Sequence, residues 1–149
     1  MNVTVNSTVS YTINTVNIAP IQVIKDNTGA LIFIVSFQWL DSANKVIRHA
    51  GNRYTQAQLI AASPDPIQTT TYINAINTLF ADGISPMLRI TMNNVGDIAT
   101  VQAFCSNMIG EPPVKTFQAK TYTEAELVAA GLSSPIIAGM INQIAISLT

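Results

Sequence analysis

Charged side chains are scarce in this sequence. Asp, Glu, Lys and Arg make up 10% of its 149 residues, against about 25% in an average soluble domain. Uncharged polar residues, chiefly Thr, Asn, Ser and Gln, take their place, and these can be buried at lower cost than Lys or Glu. Such a composition suits a surface that contacts other proteins.

Clusters of basic residues are also missing. The formal net charge is −1, whereas nucleic-acid binding would need clustered Lys and Arg to displace counterions from phosphates. Lys45, Arg48 and Arg53 come closest to a cluster, and we interpret them as a solvated hairpin end. We therefore expect no direct contact with nucleic acid.

Cysteine and histidine occur once each. The single Cys105 excludes an intramolecular disulfide and a cysteine-rich zinc site, and we expect it to be a small buried residue. With His49 as the only histidine and no Gly-x-Ser-x-Gly turn, a catalytic triad has no obvious base and nucleophile. Only an oxygen-ligated ion stays open as a metal site. We predict no catalytic residues, no cofactor and no metal.

The aspartates occur in contexts that favour turns or helix caps, where Asp bonds to nearby backbone amides. None of them fits an EF-hand pattern. A carboxylate pair that folding brings together is the one remaining route to an enzyme, a small hydrolase. The aspartates are Asp26, Asp41, Asp65, Asp82 and Asp97.

Long apolar runs are absent. The longest, Ala30 to Val35, is far short of the ~20 residues of a membrane helix. Met1 to Ser10 lacks the basic and apolar segments of a secretory signal. We expect a protein of a soluble assembly, or otherwise a cytoplasmic one, with no membrane partner and no small-molecule substrate.

Alternating apolar residues predict strands. The first five such apolar residues, all on odd positions, predict an extended N-terminal β arm over residues 1–19, with a bulge or turn near Asn14-Thr15. Further strands are predicted over Ile21–Lys25, Leu31–Trp39, Lys45–His49 and Met87–Met92, with turns at 26–29, 41–44 and 93–96. The arm residues are Val3, Val5, Val9, Tyr11 and Ile13.

Two capping boxes, Thr55 with Gln58 and Thr123 with Glu126, predict short helices. Longer helices are predicted over Thr70–Ala81, with Gly83 as its C-terminal αL residue, and from Ser134-Pro135 onward. For 98–109 we predict a helix rather than a strand, with inward residues Ile98, Val101, Cys105 and Met108. The fold class is α+β: residues 20–149 form one domain, a small antiparallel sheet with helices packed on it.

An internal repeat is visible when the sequence is aligned with itself so that Tyr54 falls on Tyr122. Tyr54–Ala62 matches Tyr122–Ala130 with conservative differences, and at the same offset Ile73-Asn74 matches Ile141-Asn142. The repeat predicts two related units over about residues 30–80 and 98–148, neither of which buries its apolar face alone. Convergence of short amphipathic helices on Ala and Leu is the alternative.

The segment Tyr122–Ser133 resembles short helical segments of tailed-bacteriophage head and tail proteins, and the Thr/Asn-rich arm is similar to their strand-exchanging termini. This resemblance covers about a quarter of the chain. It implies a non-enzymatic virion structural protein of the capsid-decorating, head-fibre, neck or tail type, in contact with other copies of itself and with other virion proteins. The candidate interface residues are Val3, Val5, Val9, Tyr11, Ile13 and Trp39.

A free-standing binding module, of adhesin or carbohydrate-binding type, is the main alternative. Trp39, Tyr11 or Tyr54 would form its aromatic platform. A small hydrolase would instead need a pocket with two or more titratable groups of perturbed pKa.

Overall fold

The computed structural model describes residues 2–4, 15–18, 20–80, 83–93 and 98–147, with side chains from residue 15 to residue 145 of these ranges. Within them the chain forms one antiparallel sheet and four helices, which confirms the α+β class. The strands are Asn2–Thr4 (β1), Thr15–Ile18 (β2), Ile21–Lys25 (β3), Leu31–Leu40 (β4), Val46–Thr55 (β5), Ile84–Met92 (β6), Ala99–Ile109 (β7) and Val114–Thr121 (β8).

The described sheet has eight strands but is only six strands wide, because β2 and β3 share one position in the strand order and β1 and β6 share the next. β5 pairs with one side of β4, so β2 and β3 lie end to end along its other side. β1 then pairs with β2, and β6 with β3. β7 and β8 complete the sheet. In the described sheet β5 and β8 are therefore the two long edge strands, and the short β1 is a third, because it pairs only with β2.

A one-residue shift separates β2 from β3. Ile18 pairs with Phe37, and Gln22 pairs with Ile34. The four residue steps from Ile18 to Gln22 therefore lie opposite three residue steps on β4. The shift moves the buried positions from even numbers in β2 to odd numbers in β3. The predicted bulge or turn near Asn14-Thr15 involves Asn14, which lies outside the described residues.

The helices are Gln56–Ala62 (α1), Pro66–Asn77 (α2), Glu124–Ala129 (α3) and Ser134–Ser147 (α4). Both predicted capping boxes are confirmed: the Thr55 and Thr123 hydroxyls accept from the amides of Gln58 and Glu126, whose side chains accept from the cap amides. The start of α4 at Ser134 is confirmed as well.

All four helices pack on one face of the sheet. Odd-numbered residues of β3 and β4 point into this core, with Val23, Leu31 and Val35 fully buried. The helices contribute Leu59, Ile76, Leu127, Ile137 and others to the same cluster. One hydrophobic core therefore extends from β5 to β7 of the described sheet.

Two predicted elements are corrected. Residues 98–109 are mostly a strand, because β7 buries alternate residues and hydrogen-bonds to strands on both sides. Ile98 and Met108, expected inside a helix, are 57% and 52% exposed. The helix predicted over Thr70–Ala81 begins four residues earlier, because Asp65 caps α2 and Pro66 occupies its first turn; it ends at the C-cap Thr78, not at Gly83.

The order strand, strand, short helix, longer helix occurs twice, in β4–β5–α1–α2 and in β7–β8–α3–α4. Of the predicted N-terminal arm, residues 1–19, the structure describes the backbone of β1 and the whole of β2. β2 pairs with β4 of the same chain and buries Val16 and Ile18 in the core.

Candidate interaction surface on the open face of the sheet

The face of the sheet opposite the helices is called the open face here, and it bears Ile24, Ile32, Met87 and Phe104. In a strand, successive side chains point to opposite faces, and these residues alternate with the buried core positions of their strands. None of them belongs to the core cluster. Among the described residues, no helix covers this face.

Cross-strand pairing arranges the open face in rows that run perpendicular to the strands. Ile32 pairs with Ile24, Ile24 with Met87, and Met87 with Phe104. We call these four residues the apolar row. Each is partly exposed, so the row is an apolar stripe across the centre of the sheet.

The next row along the strands is polar and cationic. It is called the cationic row, and it carries Arg53 on the edge strand β5 and Arg89 at its centre, with Gln22 and Gln102 on either side of Arg89. The Arg89 guanidinium carbon lies 5.4 Å from the centre of the Phe104 ring, within cation–π range. The cationic row reads Arg53, Ile34, Gln22, Arg89, Gln102, Thr121.

Large apolar side chains are exposed where β7 and β8 leave the sheet. Phe117 is 70% exposed, and its ring lies 5.8 Å from that of Phe104. Met108 and Ile84 are 52% and 49% exposed nearby, with Ile84 opposite Ser106 in the ladder. Phe117 extends the apolar row through its contact with Phe104, and Met108 and Ile84 add exposed apolar area on the neighbouring strands. Grouped exposed apolar side chains of this kind mark interaction sites.

Charges are distributed unevenly between the strands and the rest of the chain. None of the eight described strands contains an aspartate or glutamate, whereas six of the seven basic residues lie on strands. Three of these, Arg53, Arg89 and Lys115, occupy open-face positions. Among the described residues the one ion pair joins Lys120 to Glu126, at 3.0 Å, on the other face. The open face is therefore cationic.

A hollow of about 480 Å³ opens at the corner of β2, β4 and β5. Asn17, Ser36, Gln38 and His49 supply polar groups to its wall, and Gly51 leaves space beside the Ser36 hydroxyl. His49 is the one ionisable side chain among its lining residues.

The titratable groups with shifted pKa values belong to local caps and turns. The Thr28 hydroxyl and amide lower the pKa of Asp26. The Ser134 amide and hydroxyl lower the pKa of Glu124, and the Thr123 amide, followed by Lys120, lowers that of Glu126. The hydrogen bond to Glu126 raises the pKa of Lys120. These carboxylates stabilise backbone elements, and none of them lines the hollow at β2, β4 and β5.

The sequence-predicted residues lie in several places. Trp39 is 6% exposed and packs edge-on against Phe37 in the core, under the Arg48 guanidinium. Tyr54 packs partly against the same core. Cys105 is buried, as predicted. The side chains of Val3, Val5, Val9, Tyr11 and Ile13 lie outside the described residues.

Sequence reasoning missed the open face. Its residues come from β3, β4, β5, β6, β7 and β8, and only the register between these strands brings them together. The predicted strand Met87–Met92 contained one signal, because Arg89 and Thr91 alternate there with Leu88, Ile90 and Met92.

No protein-family model matches this chain, and no curated protein is significantly similar to it. Within the described ranges, no cluster of three or more His, Cys, Asp or Glu side chains has the geometry of a metal site. No helix in the described part of the chain has both the length and the apolar character needed to cross a membrane.

Proposed function

We propose that this chain is a non-enzymatic structural protein that takes part in assembly through protein–protein contact on its open face. The observation that carries the proposal is the apolar row, which Phe117 extends and near which Met108 is exposed. Burying it would remove apolar area from water, the main favourable term in protein association. The polar cationic row beside it resembles the polar rim of an interface.

The resemblance of Tyr122–Ser133 and of the N-terminal arm to tailed-bacteriophage proteins supports a virion as the assembly, with this chain as a decoration, head-fibre, neck or tail component. The low charge of the chain fits that role, since α1, α2 and α4 contain no Asp, Glu, Lys or Arg at all. The surface that these three helices expose therefore carries no charged side chain.

We also infer that the chain is an internal duplication. At the offset that carries Tyr54 onto Tyr122, the elements β4, β5, α1 and α2 fall on β7, β8, α3 and α4. The strand registers agree with this offset: Ile34 pairs with Arg53, and their equivalents Gln102 and Thr121 also pair. β3 and β6, the strands that precede the two units, pair with each other and so join them.

A hydrogen-bond pattern supports the same inference. The amide of Leu31, at the start of β4, donates to the side chain of Gln56, the first residue of α1. The equivalent amide of Ala99 donates to Ser134, which in turn donates to Glu124, the first residue of α3. In both units the first amide of the leading strand is therefore linked by hydrogen bonds to the first residue of the short helix, directly in one unit and through Ser134 in the other.

The test is hydroxyl-radical footprinting of the free chain and of particles purified from its source. We expect the chain to be present in many copies per particle, and Met87, Met108 and Phe117 to be protected from oxidation in the particle. Ile67, which is 83% exposed on α2, serves as a reference outside the open face. Absence of the chain from the particles, or equal oxidation of the open face in both samples, would contradict the proposal.

A further inference from the structure

We propose that the open face binds an acidic segment of a different protein, whose apolar side chains lie on the apolar row and whose carboxylates pair with Arg53 and Arg89. The inference deepens the proposed function and rests on it, because it assigns a chemical class of partner to the same surface. Charge complementarity carries it, together with the geometry of the two rows.

The cations of this face have no counter-charge within the described chain. No strand contributes a carboxylate, and the described ion pair uses Lys120 on the opposite face. Arg89 is held over the Phe104 ring, so its guanidinium lies directly beside the apolar row. A carboxylate that arrives with apolar side chains can accept two parallel hydrogen bonds from a guanidinium.

The rows set the size of the segment. From Ile32 on β4 to Phe117 on β8 there are four strand spacings, or roughly 19 Å at about 4.8 Å each. That length corresponds to about six residues of extended chain or about thirteen residues of helix. Arg53 and Arg89 lie three spacings apart, roughly 14 Å, so two carboxylates at that separation would contact both.

A second copy of this chain fits the face poorly. Five of its six described carboxylates are occupied by local bonds: Asp26 and Asp41 accept from turn amides, Asp65 caps α2, and Glu124 and Glu126 bond to α4 and to the cap of α3. The sixth, Glu111, lies in the exposed turn between β7 and β8 and supplies one carboxylate where Arg53 and Arg89 need two. The two long edge strands also carry cations, on β5 and on β8, and like charges oppose pairing between edges. The acidic partner is therefore another protein.

Single-stranded nucleic acid would also supply negative charge, but the side chains of the apolar row suit contact with apolar side chains better than stacking with bases. Three of the four side chains in the apolar row are aliphatic, whereas single-stranded nucleic acid needs aromatic rings for successive bases and a groove of cations along the backbone. Three cations on a chain of net charge −1 do not form such a groove. The observations favour the protein segment.

The experiment is a titration of the isotope-labelled full chain followed by methyl NMR. The probe is a random copolymer of glutamate and tyrosine; polyglutamate and an oligothymidylate of about 20 nucleotides, longer than a typical single-strand binding site, are titrated separately. We expect the copolymer to shift the methyl signals of Ile24, Ile32 and Met87, and to leave those of Ile76 and Ile137 in the core unchanged. Polyglutamate should bind at least tenfold more weakly, because it lacks apolar side chains.

Charge-matched variants test the role of the cations. Arg53→Gln with Arg89→Gln should weaken copolymer binding about tenfold, equivalent to about 1.4 kcal/mol. Lys45→Gln with Arg48→Gln removes the same charge away from the open face and should change binding less than twofold.

Three outcomes would overturn the inference: no methyl shifts with the copolymer, equal weakening in both double variants, or stronger binding of oligothymidylate at the same methyl groups. The last result would identify a nucleic-acid surface. None of them bears on the footprinting of the source particle, so failure of this inference is distinguishable from failure of the proposed function.

Discussion

Gly83 lies just before β6 in a backbone conformation with φ of +151°, which L side chains rarely adopt. A Cβ there would lie 2.9 Å from the carbonyl oxygen of Ser106 and 2.8 Å from the Asn107 side-chain oxygen. Because backbone must move to relieve the first contact, we expect Gly83→Ala to lower the free energy of unfolding by about 2–3 kcal/mol. Urea unfolding measures it.

Gly131 provides the control for this prediction. Its φ is +79°, but a Cβ there would meet no atom within 4 Å. Gly131→Ala should therefore cost only the left-handed conformation, about 1 kcal/mol. If the two variants lose the same stability, the contact with β7 contributes nothing and the explanation for Gly83 is wrong.

The carboxylates that cap helices and turns make stability depend on pH. The folded-state pKa values of Asp26, Glu124 and Glu126 lie below their ordinary values. A lowered pKa stabilises the fold above the unfolded-state pKa, and this contribution is lost as pH falls through the folded-state pKa. We expect the urea midpoint to fall as the pH is lowered from about 5.

The double variant Glu124→Gln with Glu126→Gln should have a shallower decline over the same range, because two of the three groups no longer titrate. Glu111→Gln, in the exposed turn between β7 and β8, is the control for removal of a carboxylate. A double variant with the unaltered slope would show that these caps do not stabilise the fold.

At the scale of elements, Ser134 joins α3, α4 and β7. Its amide and hydroxyl donate to the Glu124 carboxylate at 3.0 and 2.8 Å, and its hydroxyl oxygen accepts from the amide of Ala99 at 3.0 Å. Ser134 is 8% exposed. Ser134→Ala leaves the buried Ala99 amide without this acceptor, so we expect a loss of about 1–3 kcal/mol in the free energy of unfolding.

Ser42→Ala, in the exposed turn between β4 and β5, is the matched control and should change stability by less than about 0.5 kcal/mol. Amide hydrogen exchange gives a second measurement, in which the Ala99 amide of Ser134→Ala should lose protection. Unchanged protection would mean that another acceptor replaces the Ser134 hydroxyl.

Sequence patterns predicted elements well where two independent local signals agreed. Both capping boxes and the Ser134-Pro135 start combine a cap residue with an apolar spacing, and all three are present. The segment 98–109 also had a candidate cap in Asp97 and a candidate stop in Gly110. Its apolar spacing was ambiguous, however, because Val101 and Cys105 are four apart, which fits a strand and a helix equally. Pairing with β6 and β8 decides in favour of the strand, and pairing is not a local property.

At the scale of the whole molecule, the candidate surface depends on registers that no single segment contains. Ile24 and Met87 pair directly, although β4, β5, α1 and α2 separate their strands in the sequence. Arg53, from a predicted hairpin end, and Arg89, from a predicted strand, share one row only because β3, β4 and β6 pair in this register. The low charge of the sequence favoured a protein-contact function, whereas the position of the contact surface follows only from the three-dimensional fold.

The two inferred units share one core, so we expect the molecule to unfold as one cooperative unit. In the described chain, α4 packs on the first unit: the Thr69 hydroxyl donates to Gln143 at 3.1 Å, and Gln143 donates to Gln68 at 3.0 Å. The Tyr122 hydroxyl donates to the carbonyl of Leu79. Neither unit keeps these contacts alone.

Two probes test this cooperativity in a single urea titration. Trp39 fluorescence reports on the first unit, since Trp39 is the only tryptophan and lies in β4, whereas far-ultraviolet circular dichroism reports on helices of both units. Coincident midpoints and slopes are expected for two-state unfolding. Circular dichroism that changes at lower urea than the fluorescence would mean that the second unit unfolds first, and that the β3–β6 ladder joins two independently stable halves.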